Sequence, residues 1–553
     1  VNDSAPTSPA APQASGSAPA TFYSIVYPSA QHEAAAVPQD LAAVFHDLFL
    51  QSIFDTVYAS FLPREQPAYF VASRSDDEAP YRAEVLQILQ NLFRTPLQDL
   101  DVVRYRQDAL RDLQQTALLR AVQRFQQALR DMREQLRRAD KAYNVIEGQR
   151  WFVDAVLTYG HALQALHQAL DAADVHSQAW LAVRAHLAQL LDAQAQRLRM
   201  QQAQALVDDL GRLRYAVRID GTTVTVLQDP GEPDYTAIIA DTFARFRQGE
   251  VKDYRTQFAA SSGLNHVEGQ ILDRVALLFP EVFARLAQFR REQDGFAEER
   301  VLRLDRELAW YVSWLDATQR LTRAGLPVCF PRLTTQQGQI DARDAYDMAL
   351  ARQRIDAQQP VVLNDFALLG QERMIVVTGP NHGGKTTLAR TFGQLHHLAA
   401  LGLSVAARSA SLLLFDRLFT HFERVEDIHN QRGKLQDDLV RMHRILQLAT
   451  DRSVVLMNEI FSSTTLDDAL WLARRIMQRL SEIGAACVFV TFLDELAAFD
   501  AHTVSMVGTV DADDPTIRTF KVVRRAADGK SYALALARKF GVTREQLLER
   551  IPA

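Results

Sequence analysis

Leu118, Val122, Phe125, Leu129, Met132 and Leu136 recur at spacings that alternate four and three. That period puts all of them on one face of a helix. Arg120, Arg124, Arg130, Arg133 and Arg137 are interleaved with the stripe. The pattern leaves two readings open, a solvated helix face or a surface that meets phosphates. A second long helix is predicted near Trp180–Leu210, Gln- and Ala-rich, holding Leu187, Leu191, Leu198 and Leu206. A third is predicted near Glu298–Leu321, with Leu304, Leu308, Tyr311 and Leu315. Helices of about 25 residues reach roughly 37 Å, which suits bundle members or rigid arms. From about Gln39 to Ala324 the chain reads as mostly helical.

The period changes twice. Leu213, Tyr215, Val217 and Ile219 alternate with Arg214, Ala216 and Arg218, Asp220-Gly221 supplies a tight turn, and Val224 and Val226 resume the alternation. This predicts a β-hairpin whose Arg214, Arg218, Thr223 and Thr225 share a polar face. After Cys329 the helical period fades, and short apolar β-branched runs follow: Met374–Thr378, Ser453–Met457 and Ala485–Thr491. Strands of this kind separated by helical stretches predict a parallel α/β sheet.

Composition narrows the class. The 553 residues suffice for several domains, and 48% hydrophobic with 23% charged residues describes an ordinary globular chain. No run of 18 apolar residues appears, so no membrane span is expected. A net charge of −6 does not mark a nucleic-acid binder, and it excludes none, because binding needs only a local basic surface. Cys329 and Cys487 lack metal or redox spacing and cannot build a disulfide scaffold, so a cytoplasmic location is expected. Residues 1–21, rich in Ala, Pro and Ser, predict a disordered tail without the features of a secretory signal.

Candidate chemistry lies in the last third. Gly379-Pro380-Asn381-His382-Gly383-Gly384-Lys385-Thr386, followed by Thr387, sits between the Met374–Thr378 strand and a predicted helix. This is the G-x-x-x-x-G-K-[ST] pattern in strand–loop–helix context. Glycines let backbone N–H groups turn toward phosphate oxygens, and the helix N-terminus adds partial positive charge. In such a loop Lys385 would reach the β- and γ-phosphates of ATP, and the Thr386 hydroxyl would ligate Mg²⁺. The strand Ser453–Met457 ends in Asn458-Glu459. Glu459 is placed to orient an attacking water as general base, and Asn458 can ligate the metal without bringing charge.

Four segments now resemble one family, the MutS DNA mismatch-repair ATPases. They are T-G-P-N-H-G-G-K-T-T at Thr378–Thr387, V-L-M-N-E-I-F-S-S-T-T at Val455–Thr465, V-T-F-L-D-E-L at Val490–Leu496 and G-K-S-Y-A at Gly529–Ala533. Asn381 is a specific marker. Upstream, Pro96–Leu113 looks like the start of the family's helical core. The resemblance implies a multidomain chain: a helical core with long lever and clamp arms over 22–328, including a small hairpin at 213–227, then an α/β P-loop ATPase domain of ABC type over 329–553. It implies a homodimer whose sites are completed by the partner's signature loop, here Glu426–Lys434, and Lys385, Thr386 and Glu459 as working residues. DNA, held mainly through its phosphates, would be the partner.

Against the family pattern, Asn458 replaces the Mg²⁺-linked Asp, Phe492 replaces a switch His, and Asn430 or Gly433 stands at the signature Ser, with Arg432 and Lys434 nearby. Phe22-Tyr23-Ser24 lacks the Glu of a Phe-x-Glu wedge. The expected protein is a MutS-like chain without mismatch-reading and connector domains. Two functions follow as expectations: an ATP-dependent DNA-binding protein related to mismatch repair, or an ATP-gated interaction protein with slow hydrolysis.

Overall fold

A computed structural model describes residues 22–62, 78–229, 231, 239, 242, 263–336, 338–423, 433–511, 513–514, 517–527 and 543–550. The expected tail at 1–21 lies outside them. The chain divides into two compact units, one built from residues 115–175 and 180–305 with Phe22, the other from 23–114, 176–179 and 306–553.

In the first unit the stripe forms as a helix over Thr116–Lys141, burying Leu118, Val122, Phe125, Leu129 and Met132. The helix Val145–Ala172 packs along it. Asn144 starts this second helix: its side chain accepts from the Ile146 and Glu147 amides at 2.9 and 3.2 Å. The arginines divide. Arg120, Arg124 and Arg130 are exposed, whereas Arg133 donates to the buried Asp305 at 2.6 Å. Part of the basic stripe therefore neutralises an interior carboxylate, because a buried charge needs a partner.

The single helix expected over Trp180–Leu210 is two, Gln178–Asp192 and Gln194–Arg212. Ala193 breaks it with an extended ψ of 129°. The break rephases the buried face: Leu187 is buried, Leu198 is 49% exposed, and Gln196, Ala203 and Leu206 turn inward. A Gln- and Ala-rich stretch has too weak a stripe to hold one phase across such a point. Strands β1 (Tyr215–Asp220) and β2 (Thr223–Gln228) pair antiparallel around Gly221. Tyr215, Val217, Ile219 and Val224 remain exposed on this ribbon, beside a polar face carrying Arg218, Thr223 and Thr225.

The second unit holds the remaining strands: β3 (Arg332–Thr334), β4 (Gln339–Ala345), β5 (Asn364–Leu369), β6 (Met374–Thr378), β7 (Ser409–Leu413), β8 (Leu418–Phe422), β9 (Val454–Asn458), β10 (Ala486–Val490), β11 (Thr503–Val510) and β12 (Arg518–Arg524). Six of them form one sheet in the order β12-β11-β6-β10-β9-β8, parallel except for the antiparallel edge strand β12. The inner strands β6, β9 and β10 are wholly buried, which explains their unbroken apolar runs. A smaller sheet, β3-β7-β4-β5, lies within the same unit. The chain thus combines a helical N-terminal region with a C-terminal α/β sheet domain.

The segment after Phe22 is bound into this second unit. Ser24 Oγ donates to Glu307 at 2.8 Å, Tyr311 donates to the Ile25 carbonyl at 3.0 Å, and Arg106 Nε donates to the Val26 carbonyl at 2.9 Å. Among the described residues no helix is long and apolar enough to cross a membrane, and Cys329 and Cys487 are unpaired.

Candidate functional site

β6 ends at Thr378, and the chain turns through the glycine-rich loop into the helix Lys385–Ala400. Gly379 and Gly384 take φ of 111° and 91°, which side chains rarely adopt. At Gly379 there is also no room, since a Cβ would lie 2.9 Å from backbone atoms of Gly508 on β11. His382 is left-handed too, at φ 58°. The loop carries Lys385 inward: the side chain is 4% exposed, and Nζ donates to the Gly379 carbonyl at 2.8 Å and to Asn381 Oδ1 at 3.2 Å. Asn381 therefore acts inside the loop, on the lysine. Pro380 and Gly383 complete the turn, with the Gly383 amide donating to the Pro380 carbonyl at 3.2 Å, and Thr387 lies in the first turn of the helix.

β9 delivers the second half of the site. Asn458 is its last residue, buried, and Thr386 Oγ1 donates to Asn458 Oδ1 at 2.8 Å. Glu459 follows at φ 52°, its amide donating to the Val490 carbonyl at 2.9 Å and its Oε1 lying 3.9 Å from Lys385 Nζ. Phe461 is also left-handed, at φ 62°. Two strained non-glycine residues within three positions mark a turn held by its surroundings. Burial pushes the Lys385 ammonium below the usual lysine range. The Glu459 and Asp494 carboxylates pull it back up, and Arg518 pushes it down.

Thr386 and Asn458 bring together two oxygen donors suited to a hard cation, both uncharged. A small divalent ion fits that donor set, with Glu459 as the neighbouring charge. Phe492, just after β10, is 49% exposed. Its ring can neither donate nor accept a hydrogen bond.

Asp494, from the V-T-F-L-D-E-L segment, also belongs here, as do Arg518 and Asn364, which carry no motif. Asn364 Nδ2 donates to the Phe520 carbonyl at 3.2 Å and its Oδ1 accepts from the Val522 amide at 2.8 Å, tying β12 to β5. Of the signature segment only Gly433 and Lys434 are among the described residues, and Lys434 pairs with Glu423 at 2.5 Å. That ion pair holds the Glu423 carboxyl below the usual range. Gly529–Ala533 lies outside the described residues.

Strand, loop, helix and the acid-tipped β9 all fall in the segment that matches the family model for MutS domain V, residues 375–550. Residues 375–550 match MutS domain V, and the chain resembles MutS proteins over its C-terminal part. It is 24% identical over 332 residues to the DNA mismatch repair protein MutS of Thermotoga petrophila, 59% of this chain and 39% of that one. The protein of the same description from Streptococcus suis is 28% identical over 313 residues, 55% of this chain and 35% of the relative. The one from Thermotoga maritima is 24% identical over 332 residues, covering 59% and 39%. The chain therefore spans about two fifths or less of the length of the curated relatives it matches.

Proposed function

We propose that the domain over 329–553 is a P-loop ATPase of the ABC type, that ATP binds in the Gly379–Thr387 cradle, and that two copies pair to complete two sites. The observation that carries this reading is the convergence of Lys385, Thr386, Asn458 and Glu459 from the loop after β6 and from the end of β9, a parallel strand two places away in the sheet. Lys385 holds the terminal phosphates by charge and hydrogen bonding, as its contacts to the loop carbonyl and Asn381 pre-aim it. Thr386 and Asn458 would hold Mg²⁺, which when bound offsets charge on the phosphates. Glu459 accepts a proton from the attacking water, its backbone fixed by Val490. Phe492 offers that water no hydrogen bond, so hydrolysis is slow.

On the same reading the helical region over 22–328 supplies core, lever and clamp elements that grip duplex DNA through its phosphates, in a role related to mismatch repair. Exposed Arg120, Arg124 and Arg130 favour it. The pairing of Arg133 with Asp305 favours the second reading, in which the helices hold another protein and ATP acts as a slow switch.

Binding of labelled ATP and of short duplexes by wild type, Lys385→Ala and Glu459→Gln tests this. Lys385→Ala loses nucleotide, while Glu459→Gln keeps it and accumulates as a dimer. Duplex binding at low salt supports the first reading, and its absence with every nucleotide leaves the second. Equal turnover of Glu459→Gln and wild type would remove Glu459 from its role.

A further inference from the structure

The acid after β9 stands in a turn that its own residues do not favour. Glu459 and Phe461 both take left-handed backbone, and Phe461 does so, at φ 62°, with a bulky side chain. Such a turn keeps its shape only while its surroundings hold it. β10 holds the start, through the Val490 carbonyl that accepts from the Glu459 amide. Apolar packing holds the middle, where Ile460 and Phe461 are buried in one cluster with Met442, Phe489 and Leu496.

Side chains from two other elements hold the far end. The Phe461 amide donates to Asp438 Oδ2 at 3.3 Å. Asp438 lies on the helix Lys434–Leu448, and its side chain is 13% exposed. Its Oδ1 lies 3.0 Å from Nε2 of His421, which is fully buried on β8. The carboxylate thus turns one oxygen to the strand and the other to the turn. One residue further on, Ser462 Oγ donates to Glu423 Oε1 at 2.9 Å, the oxygen that also pairs with Lys434 at the start of the same helix. The Glu423 amide in turn donates to the Asn458 carbonyl at 3.3 Å. An apolar residue at 438 would leave the Phe461 amide without this acceptor, and a partly buried donor in that state favours local rearrangement. Phe461 is two residues past Glu459, so the acid moves with the turn.

We propose that Asp438 is a positioning residue for Glu459, fixing the turn after β9 so that the acid keeps its aim. It acts on hydrolysis only through Glu459. The assignment rests on the reading of Glu459 as the group that takes the proton from water, and adds to it what holds that group in place.

The test is single-turnover hydrolysis of γ-labelled ATP by the full chain in excess, with ATP binding measured in parallel by fluorescence anisotropy. The variants are Asp438→Leu, Asp438→Ala, Asp438→Asn, Glu459→Gln and the double variant Asp438→Leu, Glu459→Gln. Leu and Ala remove both oxygens, whereas Asn keeps one for the Phe461 amide. A misplacement of about 1 Å can cost a reacting group on the order of a hundredfold, so Asp438→Leu and Asp438→Ala should hydrolyse ATP at least about tenfold more slowly. Both should bind ATP within about threefold of wild type, since the loss falls on the chemical step. Asp438→Asn should stay within about threefold of wild type in both measurements. Residues that act as a unit are not additive, so in the Glu459→Gln background Asp438→Leu should cost less than about threefold. The full loss in that background, a loss shared equally by Asn and Leu, or wild-type turnover in Leu and Ala would each overturn the proposal. ATP binding lost in step with turnover in both Leu and Ala would assign Asp438 to the fold alone and overturn it too. Equal turnover of Glu459→Gln and wild type, or no hydrolysis by either, would instead overturn the reading of Glu459 beneath it.

Discussion

The helix that presents Lys385 at its start carries two adjacent histidines near its end, and these make the domain acid-sensitive. His396 and His397 are both fully buried. His396 Nδ1 bonds the Phe392 carbonyl at 2.8 Å, and His397 Nε2 bonds the Phe93 carbonyl at 3.0 Å. The other nitrogen of each ring has no hydrogen-bond partner among the described residues. Protonation would place an unpartnered N–H and a charge among Phe45, Phe93 and Phe392. Burial accordingly pushes both rings down from 6.5 to about 4, against a smaller upward pull from the carbonyls. The sign follows from proton binding. Above pH 6.5 both states are neutral and stability is unaffected. Between 6.5 and 4 the unfolded chain binds protons that the fold refuses, so stability falls as pH falls. At pH 5.5 the loss is about 1.4 kcal/mol per ring, or about 3 kcal/mol for the pair. Urea unfolding at pH 7.5 and 5.5, with release of labelled ATP as a second probe, measures it. The comparison is the double variant His396→Asn, His397→Gln, whose amides can keep the bonds to Phe392 and Phe93 without titrating. It should lose about 3 kcal/mol less than wild type between the two pH values. An equal loss in both proteins would refute the argument.

Gly379→Ala should abolish ATP binding while leaving the helical region's circular dichroism intact. The substitution places a Cβ 2.9 Å from the Gly508 backbone at a φ of 111°, and binding within about threefold of wild type would show that the strand shifts aside at little cost. Phe492→His should raise ATP turnover about tenfold or more, as expected for a polar group returned beside the reacting water. A steady-state assay giving an unchanged or lower rate would mean that the site has been rebuilt around the aromatic ring.

The local part of this architecture was legible because local rules dictate it. Met374–Thr378 must be an inner strand, since four apolar residues in a row leave no solvent face. The glycines after it must turn, and Lys385 must then open a helix. Asn458 and Glu459 could be placed by the same logic, at the end of the next apolar run. What escaped was carried by long-range contacts or by weak patterns. Ser24 meets Glu307 across 283 positions, and nothing near Ser24 announces it. The break at Ala193 has no Gly or Pro to mark it, only an apolar stripe too thin to keep its phase. In the hairpin the alternation is plain, but exposure of both faces cannot be read from alternation, which normally means that one face is covered.

Arg518 is the instructive case for the site itself. A basic residue at the start of an edge strand reads as ordinary solvent exposure, and its position 137 residues from Asn381 hides the hydrogen bond it donates to the Asn381 carbonyl. Only the register shift between Gly508 and Val510 brings it to the loop. The two departures from the family pattern gain a physical reading in the same way. Asn458 keeps the location of the acid it replaces and spends its Oδ1 on the Thr386 hydroxyl at 2.8 Å, so the change removes charge while leaving an oxygen in place. Phe492 removes polarity without filling the cradle, since half of its surface stays in solvent. On the proposed reading, loss of charge on the metal side and loss of a hydrogen bond on the water side would act on different steps, the first on holding nucleotide and the second on hydrolysing it. On that reading, a site altered in both ways would turn nucleotide over slowly.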